Sequence, residues 1–425
     1  MNLLIKTRHI ELKATTIEIM DMFRSAEETQ SHENGVGNKT DLIIVGAGIV
    51  GLATAWRAHH QGRRVHVIDR ANRPVGASIQ NFGHACFTAQ ADAIQDVAAD
   101  SRDGWKAAAA ETGLWAAQPG TVVPTVSETE MTVLRQFHDH RGSEQVTLLN
   151  ADDTRERLGL TGSENSGADD IIGGALLPLD MRVNPREAAP RLAEWLAANG
   201  VEFSWNTAVH HVGDGQVDTS RGTLSADEVV VCPGHHVGNI FPDIAERNGL
   251  RTCILTMALI DRPDHIPEDL AMLTGTSLAR YDGVAAMSGV PDLREELLDT
   301  KPELVGCIAN LMATALPDGA IPGLNSSGSG IFIGDSHDYA QSPELFIQQS
   351  IADLLMDNAS AYLGIEHPVV RQRWQGRYAD SPDTNLVLER PDDRTTVAVV
   401  ASGIGMTLSF GIATLITEHC DAPDF

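Results

Sequence analysis

Three glycines and one carboxylate near the start of the chain have the spacing of a unit that binds phosphate and ribose. Gly46, Gly48 and Gly51 form a G-x-G-x-x-G pattern, and Asp69 follows Gly51 after 18 residues. The first glycine permits a tight turn, the second lets the backbone approach a pyrophosphate, and the third lets a helix pack closely. An acidic residue about 20 residues further on accepts hydrogen bonds from ribose hydroxyls. The pattern therefore predicts a dinucleotide-binding site.

The residues around these glycines predict the strand, helix and strand that such a site requires. Leu42–Val45 is a β-branched apolar run, a helical pattern follows Gly51, and Val65–Ile68 reads as a second strand that ends at Asp69. The helix N-terminus offers unpaired N–H groups and the positive end of its dipole to phosphates. Because all parts occur in order, the motif is more specific than a lone glycine pattern. A glycine-rich turn without a ligand is the alternative.

A second group of residues has the chemistry of an anion site. Arg371, Arg373, Gln375 and Arg377 alternate along the chain, so one strand would place them on one face. Arginine binds carboxylates and phosphates through a bidentate fork. We expect Arg371 and Arg373 to form salt bridges on an acidic surface. For Arg377, a surface salt bridge and the binding of an anion are given equal weight.

The composition of the 425 residues, 42% hydrophobic and 21% charged, is typical of a soluble globular protein of two domains. No apolar run approaches the length of about 20 residues that spans a membrane. The net charge of -27 argues against nucleic acid or an anionic membrane as a partner. The five cysteines include no C-x-x-C pair, so we expect neither a metal site nor a disulfide framework, and a cytoplasmic location fits.

Apolar periodicity and turn residues predict the remaining elements. A helix is expected over Pro185–Asn199 and another over 345–363. The expected strands are Val201–Trp205, Ala226–Gly234, Cys253–Ile260, Asn310–Ala315, Gly330–Gly334, Val369–Trp374 and Thr396–Ala401. Residues 1–39 are predicted to be a disordered tail, or the true start is Met20 or Met22.

Four segments together resemble the FAD-dependent amine and amino-acid oxidases, the family of D-amino-acid oxidase, glycine oxidase and sarcosine oxidase. They are the glycine motif with Asp69, RVNPR at 182–186, VVVCPG at 229–234 and SGIGMT at 402–407. The strings ASIQNFGHACFTAQ at 77–90, ALPDG at 315–319 and IGDSHDY at 333–339 resemble a narrower subgroup associated with aminophosphonate breakdown. Gln80 stands where that subgroup is expected to have arginine.

The resemblance implies an α/β protein, α+β overall, with two parts. A Rossmann-type FAD-binding domain, discontinuous in sequence, would take 40–100, 176–250 and 369–425. A substrate domain with a mostly antiparallel sheet would take 101–175 and 251–368. The implied reaction is hydride transfer to FAD from the carbon next to nitrogen in a small anionic amine: an aminophosphonate, an N-methyl amino acid or a D-amino acid. The imine then gives an aldehyde or keto acid with ammonia or an amine, and O2 or another acceptor takes the electrons.

The resemblance also implies roles for individual residues. The expected catalytic residues are His337, Arg377 and Tyr378. Arg377 would bind the substrate anion after a turn at Trp374–Gly376, with Tyr378 beside it. His337 would contact substrate or stabilise reduced flavin, a structural hydrogen bond being the alternative. The expected cofactor-binding residues are Gly46, Gly48, Gly51, Asp69, Arg70, Ser78, Asn81, Gly234, Gly403, Gly405, Met406 and Thr407.

Departures from the family imply how FAD is held and reoxidised. Sarcosine oxidases tether the flavin to the cysteine of a C-M-Y-T-x-T-P-D string. LMATALPD at 311–318 is expected to be the equivalent string here, with Leu311 in the position of the cysteine. Because leucine cannot form a thioether, FAD is predicted to be bound non-covalently. Those enzymes also use a lysine over the flavin to react with oxygen. Lys301, the candidate here, lies in a charged stretch that we expect to be exposed, which leaves the acceptor open. His84 would lie near the flavin ring, and Cys86 is expected to be a buried, inert thiol.

A different class of protein remains open from the glycine motif alone. An NAD(P)-dependent reductase or a non-catalytic dinucleotide sensor would use the same unit, and Arg70 after Asp69 would suit a 2′-phosphate. The SGIGMT segment argues against both, because a nicotinamide enzyme has no use for a second glycine turn at a flavin ring. The oligomeric state is not indicated by the sequence.

Overall fold

A computed structural model describes residues 40–160 and 170–423 of the chain, and the structural statements below concern those residues. The tail predicted for 1–39 lies outside them. Within the described part, no helix combines the length and the apolar character that crossing a membrane requires.

The strands and helices are numbered separately in chain order. The strands are β1 Leu42–Val45, β2 Val65–Ile68, β3 His84–Ala85, β4 Ala116–Ala117, β5 Thr121–Thr125, β6 Thr147–Asn150, β7 Gly173–Leu177, β8 Met181–Val183, β9 Glu202–Ser204, β10 Val209–Gly213, β11 Gln216–Thr219, β12 Gly222–Ser225, β13 Glu228–Val231, β14 Arg251–Ile260, β15 Ala271–Leu273, β16 Met312–Leu316, β17 Gly330–Ala340, β18 Val370–Asp380, β19 Leu386–Asp392 and β20 Thr395–Val400. The helices are α1 Ile49–His60, α2 Gln95–Thr112, α3 Glu128–Arg141, α4 Ala151–Arg157, α5 Pro185–Ala198, α6 Pro242–Arg247, α7 Gly275–Leu278, α8 Asp282–Ala285, α9 Val290–Thr300, α10 Pro302–Gly306, α11 Gln349–Tyr362 and α12 Gly405–Thr417.

The glycine motif belongs to a six-stranded sheet of order β19-β20-β13-β1-β2-β9. Strand β1 pairs in parallel with β2 and β13 and is buried along its whole length, as expected for a central parallel strand. Leu52 and Trp56 of α1 pack with Phe410 of α12, and the Trp56 and Phe410 rings meet edge to face at 5.5 Å. Packing in this apolar layer fixes the positions of α1 and α12 beside the sheet, and therefore also the positions of their N-termini.

The second large sheet has the order β18-β14-β17-β16-β15-β5-β7-β6, and its pairings are antiparallel apart from β15 with β5. Strand β14 is buried along most of its length and pairs on one side with β17 and on the other with β18. Leu255, Met257 and Phe332 belong to the apolar cluster on one face, whereas Ile260 and Ile331 pack on the other face with Leu355 of α11. The predicted α/β class with a mostly antiparallel second sheet is confirmed.

Two strands run further than the sequence predicts. Strand β17 continues to Ala340, and β18 continues to Asp380. The turn predicted at Trp374–Gly376 is therefore wrong, because those residues pair with Leu255 to Met257 inside the sheet. Strand β18 also joins the eight-stranded sheet, although 369–425 was assigned to the FAD-binding part. The domain boundaries otherwise stay a prediction.

Candidate active site

One large cavity lies between the two sheets. Its glycine side is defined by the N-termini of α1 and α12 with their preceding turns and by the loops after β2 and β13. This side is lined by Gly48, Gly51, Ser78, Asn81, Gly234, Gly403, Gly405, Met406 and Thr407. On its sheet side, defined by β14, β17, β18 and the turn after α7, it is lined by Leu255, Arg280, Tyr281, Asp335, His337, Tyr339, Gly376 and Tyr378. The structure thus brings most of the predicted cofactor residues to one side and two predicted catalytic residues to the other.

The glycines of the first motif differ in what surrounds them. A Cβ on Gly46, whose φ is +109°, would lie 2.3 Å from the carbonyl oxygen of Cys232, and one on Gly51 would lie 2.0 Å from that of Gly46. At Gly46 and Gly51 a side chain is therefore excluded by the backbone of the protein itself. A Cβ on Gly48 would meet only the Ser78 Oγ, at 3.2 Å, and Gly48 lines the cavity. The absence of a side chain at Gly48 therefore leaves room for a ligand rather than for protein.

The N-terminus of α1 is held open toward the cavity. Gly48 is its N-cap and supplies no side chain, while the Ser78 Oγ accepts a hydrogen bond from the Ile49 N–H at 2.8 Å. The remaining N–H groups of the first turn are available to an anion, and the helix dipole favours negative charge there. The geometry is that of a phosphate-binding helix end.

Three predicted cofactor residues do not line the cavity and lie behind its glycine side: Gly46, Asp69 and Arg70. Asp69 accepts hydrogen bonds from the Ala47 N–H at 2.7 Å and from the Ala71 N–H at 2.8 Å, so it fixes the glycine turn. Each carboxylate oxygen keeps further acceptor capacity for a hydroxyl. Arg70 is exposed and its guanidinium lies against the His236 ring. Their predicted contacts with a ribose stay predictions.

The N-terminus of α12 faces the same cavity. Gly403 adopts a φ of +78°, and α12 begins at Gly405 without a side-chain cap. The helix end is held by the Cys86 N–H, which donates to Thr407 Oγ1 at 3.3 Å, and by Trp105 Nε1, which donates to the Met406 carbonyl at 2.9 Å. Two helix N-termini thus face one cavity, which fits a ligand that carries negative charge at two separate places. FAD is such a ligand, with a pyrophosphate and an isoalloxazine that becomes anionic on reduction.

A β-bulge directs the polar groups of β17 into the cavity. Met257 of β14 pairs with Gly334 and Leu255 pairs with His337, so Thr256 alone faces the two residues Asp335 and Ser336. The extra residue changes which side chains face the cavity. Before the bulge the apolar Phe332 lies on that face, and after it Asp335, His337 and Tyr339 do.

His337 reaches the cavity as predicted, but as a neutral imidazole. Burial, together with the nearby Arg280 charge, lowers the pKa of His337 to about 3. Its Nδ1–H donates to the Ile308 carbonyl at 3.0 Å, which leaves Nε2 as an acceptor. The structure therefore combines the two alternatives left by the sequence, because the ring makes a structural hydrogen bond and also lines the cavity.

Asp335 was missed by the sequence analysis. Its carboxyl is only 4% exposed, and its Oδ1 has no hydrogen-bond partner among the described residues. Burial raises the pKa of Asp335 to about 7, although the Arg280 charge acts in the opposite direction. The available sequence signal was an acid inside the apolar run GIFIGDS, since a buried carboxyl with a raised pKa is common at active sites.

Arg280 was also missed, and it is the guanidinium on the sheet side of the cavity. Its Nη2 donates to the Tyr339 hydroxyl at 3.3 Å, and no carboxylate among the described residues forms an ion pair with it. Arg280 follows the short helix α7, where no motif or periodicity marks it. Its position depends on contacts that are distant in sequence.

Arg377 and Tyr378, predicted to act side by side, point to opposite faces of β18. Tyr378 lies on the cavity face, and its ring would be 3.1 Å from a Cβ placed on Gly403. Arg377 lies on the other face, where it donates to Gln375 Oε1 at 3.3 Å, although it reaches the rim of the cavity. Strand alternation is the reason, since adjacent residues face opposite ways.

The two other arginines of β18 behave as predicted. Arg371 forms a salt bridge with Asp261 at 2.6 Å, and Arg373 forms one with Asp353 at 3.3 Å. Both pairs are on the outer face of the sheet, away from Tyr378. The prediction of surface salt bridges for these two residues is confirmed.

Leu311 is not at the cavity, so its use as the equivalent of a tethering cysteine is wrong. It is 1% exposed and belongs to the apolar cluster on the face of the sheet covered by α11. The segment GRYADSPD at 376–383 follows the same spacing as C-M-Y-T-x-T-P-D, and it starts on the cavity wall with Gly376 in the cysteine position. Lys301 is also elsewhere: it is half-buried, and its Nζ donates to the Tyr362 hydroxyl at 3.1 Å.

His84 lines the cavity, and with Cys86 and Asp180 behind it forms a buried cluster with the residue types of metal ligands, their ligand atoms all within 4.8 Å of one another. The predicted contact of His84 with the flavin ring stays a prediction. His84 Nε2 and Thr121 Oγ1 are 2.6 Å apart, and the same hydroxyl donates to Asp180 at 2.7 Å. Burial raises the pKa of the Cys86 thiol well above its usual range, which makes it inert as expected. The prediction that the protein has no metal site stays a prediction.

Comparison with known proteins identifies the family. Residues 41–419 match the family described as FAD dependent oxidoreductase (DAO). The chain belongs to this family. It is therefore an FAD-dependent oxidoreductase, and of the hypotheses left by the sequence the reductase and sensor class is not supported.

Solved structures show the same fold. L-proline dehydrogenase from P. horikoshii has a TM-score of 0.71 at 17% identity, over 91% of this chain and 96% of that one. Glycine oxidase from Bacillus cereus has a TM-score of 0.69 at 16% identity, over 90% and 96%. Among curated proteins, squalene monooxygenase SE2 of Panax ginseng is 42% identical over 67 residues. That match covers only 14% of this chain and 12% of the relative.

Proposed function

We propose that this protein oxidises a small amine that also carries an anionic group, with transfer of hydride from the carbon next to nitrogen to FAD. The observation that carries the proposal is Arg280, a guanidinium on the cavity wall that has a phenol but no carboxylate as its described partner. Arg280 is half-buried, and a partly desolvated cation without a counter-ion is costly, so an anionic substrate that supplies the counter-ion would bind favourably.

The position of Arg280 favours a small substrate. Its guanidinium shares the sheet side of the cavity with Tyr339, Tyr378 and His337, whereas the glycine side offers helix N-termini suited to the cofactor. Arginine binds carboxylate or phosphonate oxygens through two parallel hydrogen bonds, which orients the ligand as well as holding it. An amine anchored in this way would present its C–H bond to the flavin, and the flavin supplies the hydride acceptor.

The substrate classes in keeping with this site are aminophosphonates, N-methyl amino acids and D-amino acids. Proteins of similar fold are named as a proline dehydrogenase, a glycine oxidase and an iminodiacetate oxidase, all of which are named for substrates that are amines with a carboxylate. The product would be an imine that yields an aldehyde or keto acid with release of ammonia or an amine. For the acceptor, O2 and another oxidant stay open, and no lysine lies in the described cavity lining.

We propose that FAD is bound non-covalently through the glycine side, with Gly48, Ser78, Gly403 and Thr407 in contact with it. Gly376 has no thiol, and the thiol that does line the cavity, Cys232, has its pKa raised by burial to about 12. A thiol of that kind is a poor nucleophile because the thiolate is the reactive form. Acid precipitation should release the flavin into the supernatant, and colour retained in the pellet would contradict this.

The test of the function is anaerobic bleaching of the bound flavin. Purified holoenzyme is mixed with glycine, sarcosine, D-alanine, 2-aminoethylphosphonate or N-methyl-2-aminoethylphosphonate, and flavin absorbance is followed. At least one of these amines should reduce the flavin within the time of a catalytic turnover. If none does so while NADPH bleaches the flavin, the protein is a reductase instead.

A further inference from the structure

The sheet side of the cavity contains a carboxyl group that anion binding does not explain. Asp335 lies on the same face of β17 as His337, and its Oδ1 is 3.8 Å from the His337 Nδ1 without a hydrogen bond between them. The charge of Arg280 acts on Asp335, but the Arg280 guanidinium donates its hydrogen bond to the Tyr339 hydroxyl instead. A buried acceptor with no donor indicates that a donor arrives with the ligand.

We infer that Asp335 receives the amino group of the substrate and takes a proton from it before the C–H bond is broken. The inference rests on the proposed function, since it names the residue that meets the second charged group of the same substrate. A zwitterionic amine would then place its anion on Arg280 and its ammonium on Asp335, so each charged group of the wall gains a partner of opposite sign.

The proton transfer is balanced without a further reactant. One N–H bond of the ammonium breaks, its electron pair remains on nitrogen, and the proton forms an O–H bond with Oδ1 of Asp335. An ion pair thus becomes a neutral acid and a neutral amine, which costs little in a buried site. The free electron pair on nitrogen then forms the C=N bond as the C–H bond breaks, the hydride with its electron pair passes to FAD as in the proposed function, and the substrate becomes an iminium ion.

The other titratable groups around Asp335 do not compete near neutral pH. His337 on its own strand stays neutral because burial lowers its pKa to about 3. Burial raises the pKa of the other groups on which the Asp335 charge acts: Tyr281 beside Arg280, Cys253 on β14, Tyr378 on β18 and Cys307 before β16. Burial also raises the pKa of Tyr339, further along β17. Burial brings the pKa of Asp335 itself to about 7, where a general base works well.

The matched pair of variants for the test is Asp335→Asn and Asp338→Asn. Both change a carboxylate to an amide on β17, but the Asp338 side chain is exposed and does not line the cavity. Each holoenzyme is reduced anaerobically with sarcosine and with 2-aminoethylphosphonate from pH 5 to pH 10. Binding of ethylphosphonate and propionate, which have the anion but no amine, is measured from the shift of the flavin absorbance bands.

Wild type and Asp338→Asn should reduce faster with rising pH, by tenfold per unit, up to a plateau above about pH 7. Asp335→Asn should be slower at pH 7 by about 100- to 10,000-fold, the range for loss of a general base. Its rate should keep rising through pH 9, because only substrate that is already deprotonated in solution can react. Ethylphosphonate and propionate should bind equally to all three proteins.

Three results would overturn the inference. An Asp335→Asn protein with the wild-type rate and pH profile shows that Asp335 takes no proton. If Asp335→Asn loses as much affinity for ethylphosphonate or propionate as it does for the amines, the role of Asp335 is structural. If none of the five amines of the panel reduces wild-type flavin while other compounds do, the proposed function fails, and the inference fails with it.

Discussion

On the glycine side of the cavity the groups that face a ligand are backbone N–H groups and glycines, whereas on the sheet side they are charged and phenolic side chains. The part of the glycine side around α1 is a local structure, since Gly48, Ile49 and Ser78 lie within one βαβ unit and the loop after it, whereas the N-terminus of α12 comes from the far end of the chain. The sheet side gathers Arg280, Asp335 and Tyr378 from segments almost 100 residues apart. This difference is in keeping with our proposal that the glycine side binds the cofactor and the sheet side selects the substrate.

The variant expected to have the largest effect is Gly48→Val, which should separate the two sides. A side chain there meets only Ser78 within the protein but occupies the space for close phosphate approach. FAD affinity should fall by about 1,000-fold or more, while the apoprotein keeps its thermal midpoint. Equilibrium dialysis with FAD measures the first and calorimetry the second. Gly306→Val is the control, since a Cβ at Gly306 meets nothing within 4 Å.

The next effect is expected at the sheet side, from Arg280→Ala. Loss of a bidentate contact to the substrate anion should cost about 2–4 kcal/mol, or roughly 30- to 1,000-fold in kcat/KM, with full FAD content. Arg280→Lys should recover only part of this, because an ammonium cannot form the fork. Arg377→Ala is the matched control and should stay near wild type. If Arg377→Ala has the larger effect at full flavin content, the anion site lies at the rim instead.

A smaller effect on stability is expected from Asp335→Asn. The folded-state pKa of Asp335, about 7, lies above its ordinary value of 3.8. The folded protein therefore holds a proton that the unfolded chain has released, so wild-type stability falls as pH rises from about 4 to 7. The variant should be more stable at pH 8 by about 1–3 kcal/mol and nearly equal at pH 4. Urea unfolding of the FAD-saturated proteins measures the difference, and a difference that does not change with pH would contradict the buried position.

The smallest expected effect is that of Tyr339→Phe. Its hydroxyl is the described hydrogen-bond partner of Arg280, at 3.3 Å, so its loss should leave the guanidinium less well oriented. KM for the anionic amine should rise about fivefold, corresponding to roughly 1 kcal/mol for one hydrogen bond. Tyr362→Phe, which removes the partner of Lys301 far from the cavity, should leave KM unchanged. An equal rise in both variants would show a general effect of losing a buried hydroxyl.

The same contrast explains what the sequence could and could not predict. Strands β1 and β2, the turn at Gly46 and the cavity position of Gly48 depend on neighbours in sequence, so residue spacing was enough. The pairing of Arg377 with Tyr378 failed because the length of β18 was underestimated, and strand alternation then separates them.

The missed residues have a common cause. Asp335 faces the cavity because β17 has an extra residue opposite Thr256, and such a bulge depends on the partner strand. Arg280 reaches the cavity from a turn whose neighbours come from other parts of the chain. The sequence supplied the family and the cofactor, but the side chains that would select a substrate required the tertiary structure.

The central claim, that the substrate is an amine recognised through its anionic group, is tested most directly by comparing two amines in anaerobic flavin reduction. The panel amine that reduces the wild-type flavin fastest is compared with the same amine lacking its carboxylate or phosphonate, such as methylamine for glycine or ethylamine for 2-aminoethylphosphonate. The account predicts at least a 30-fold slower second-order rate for the truncated amine in wild type, and nearly equal rates for the two amines in Arg280→Ala. Equal rates for the two amines in wild type would contradict it.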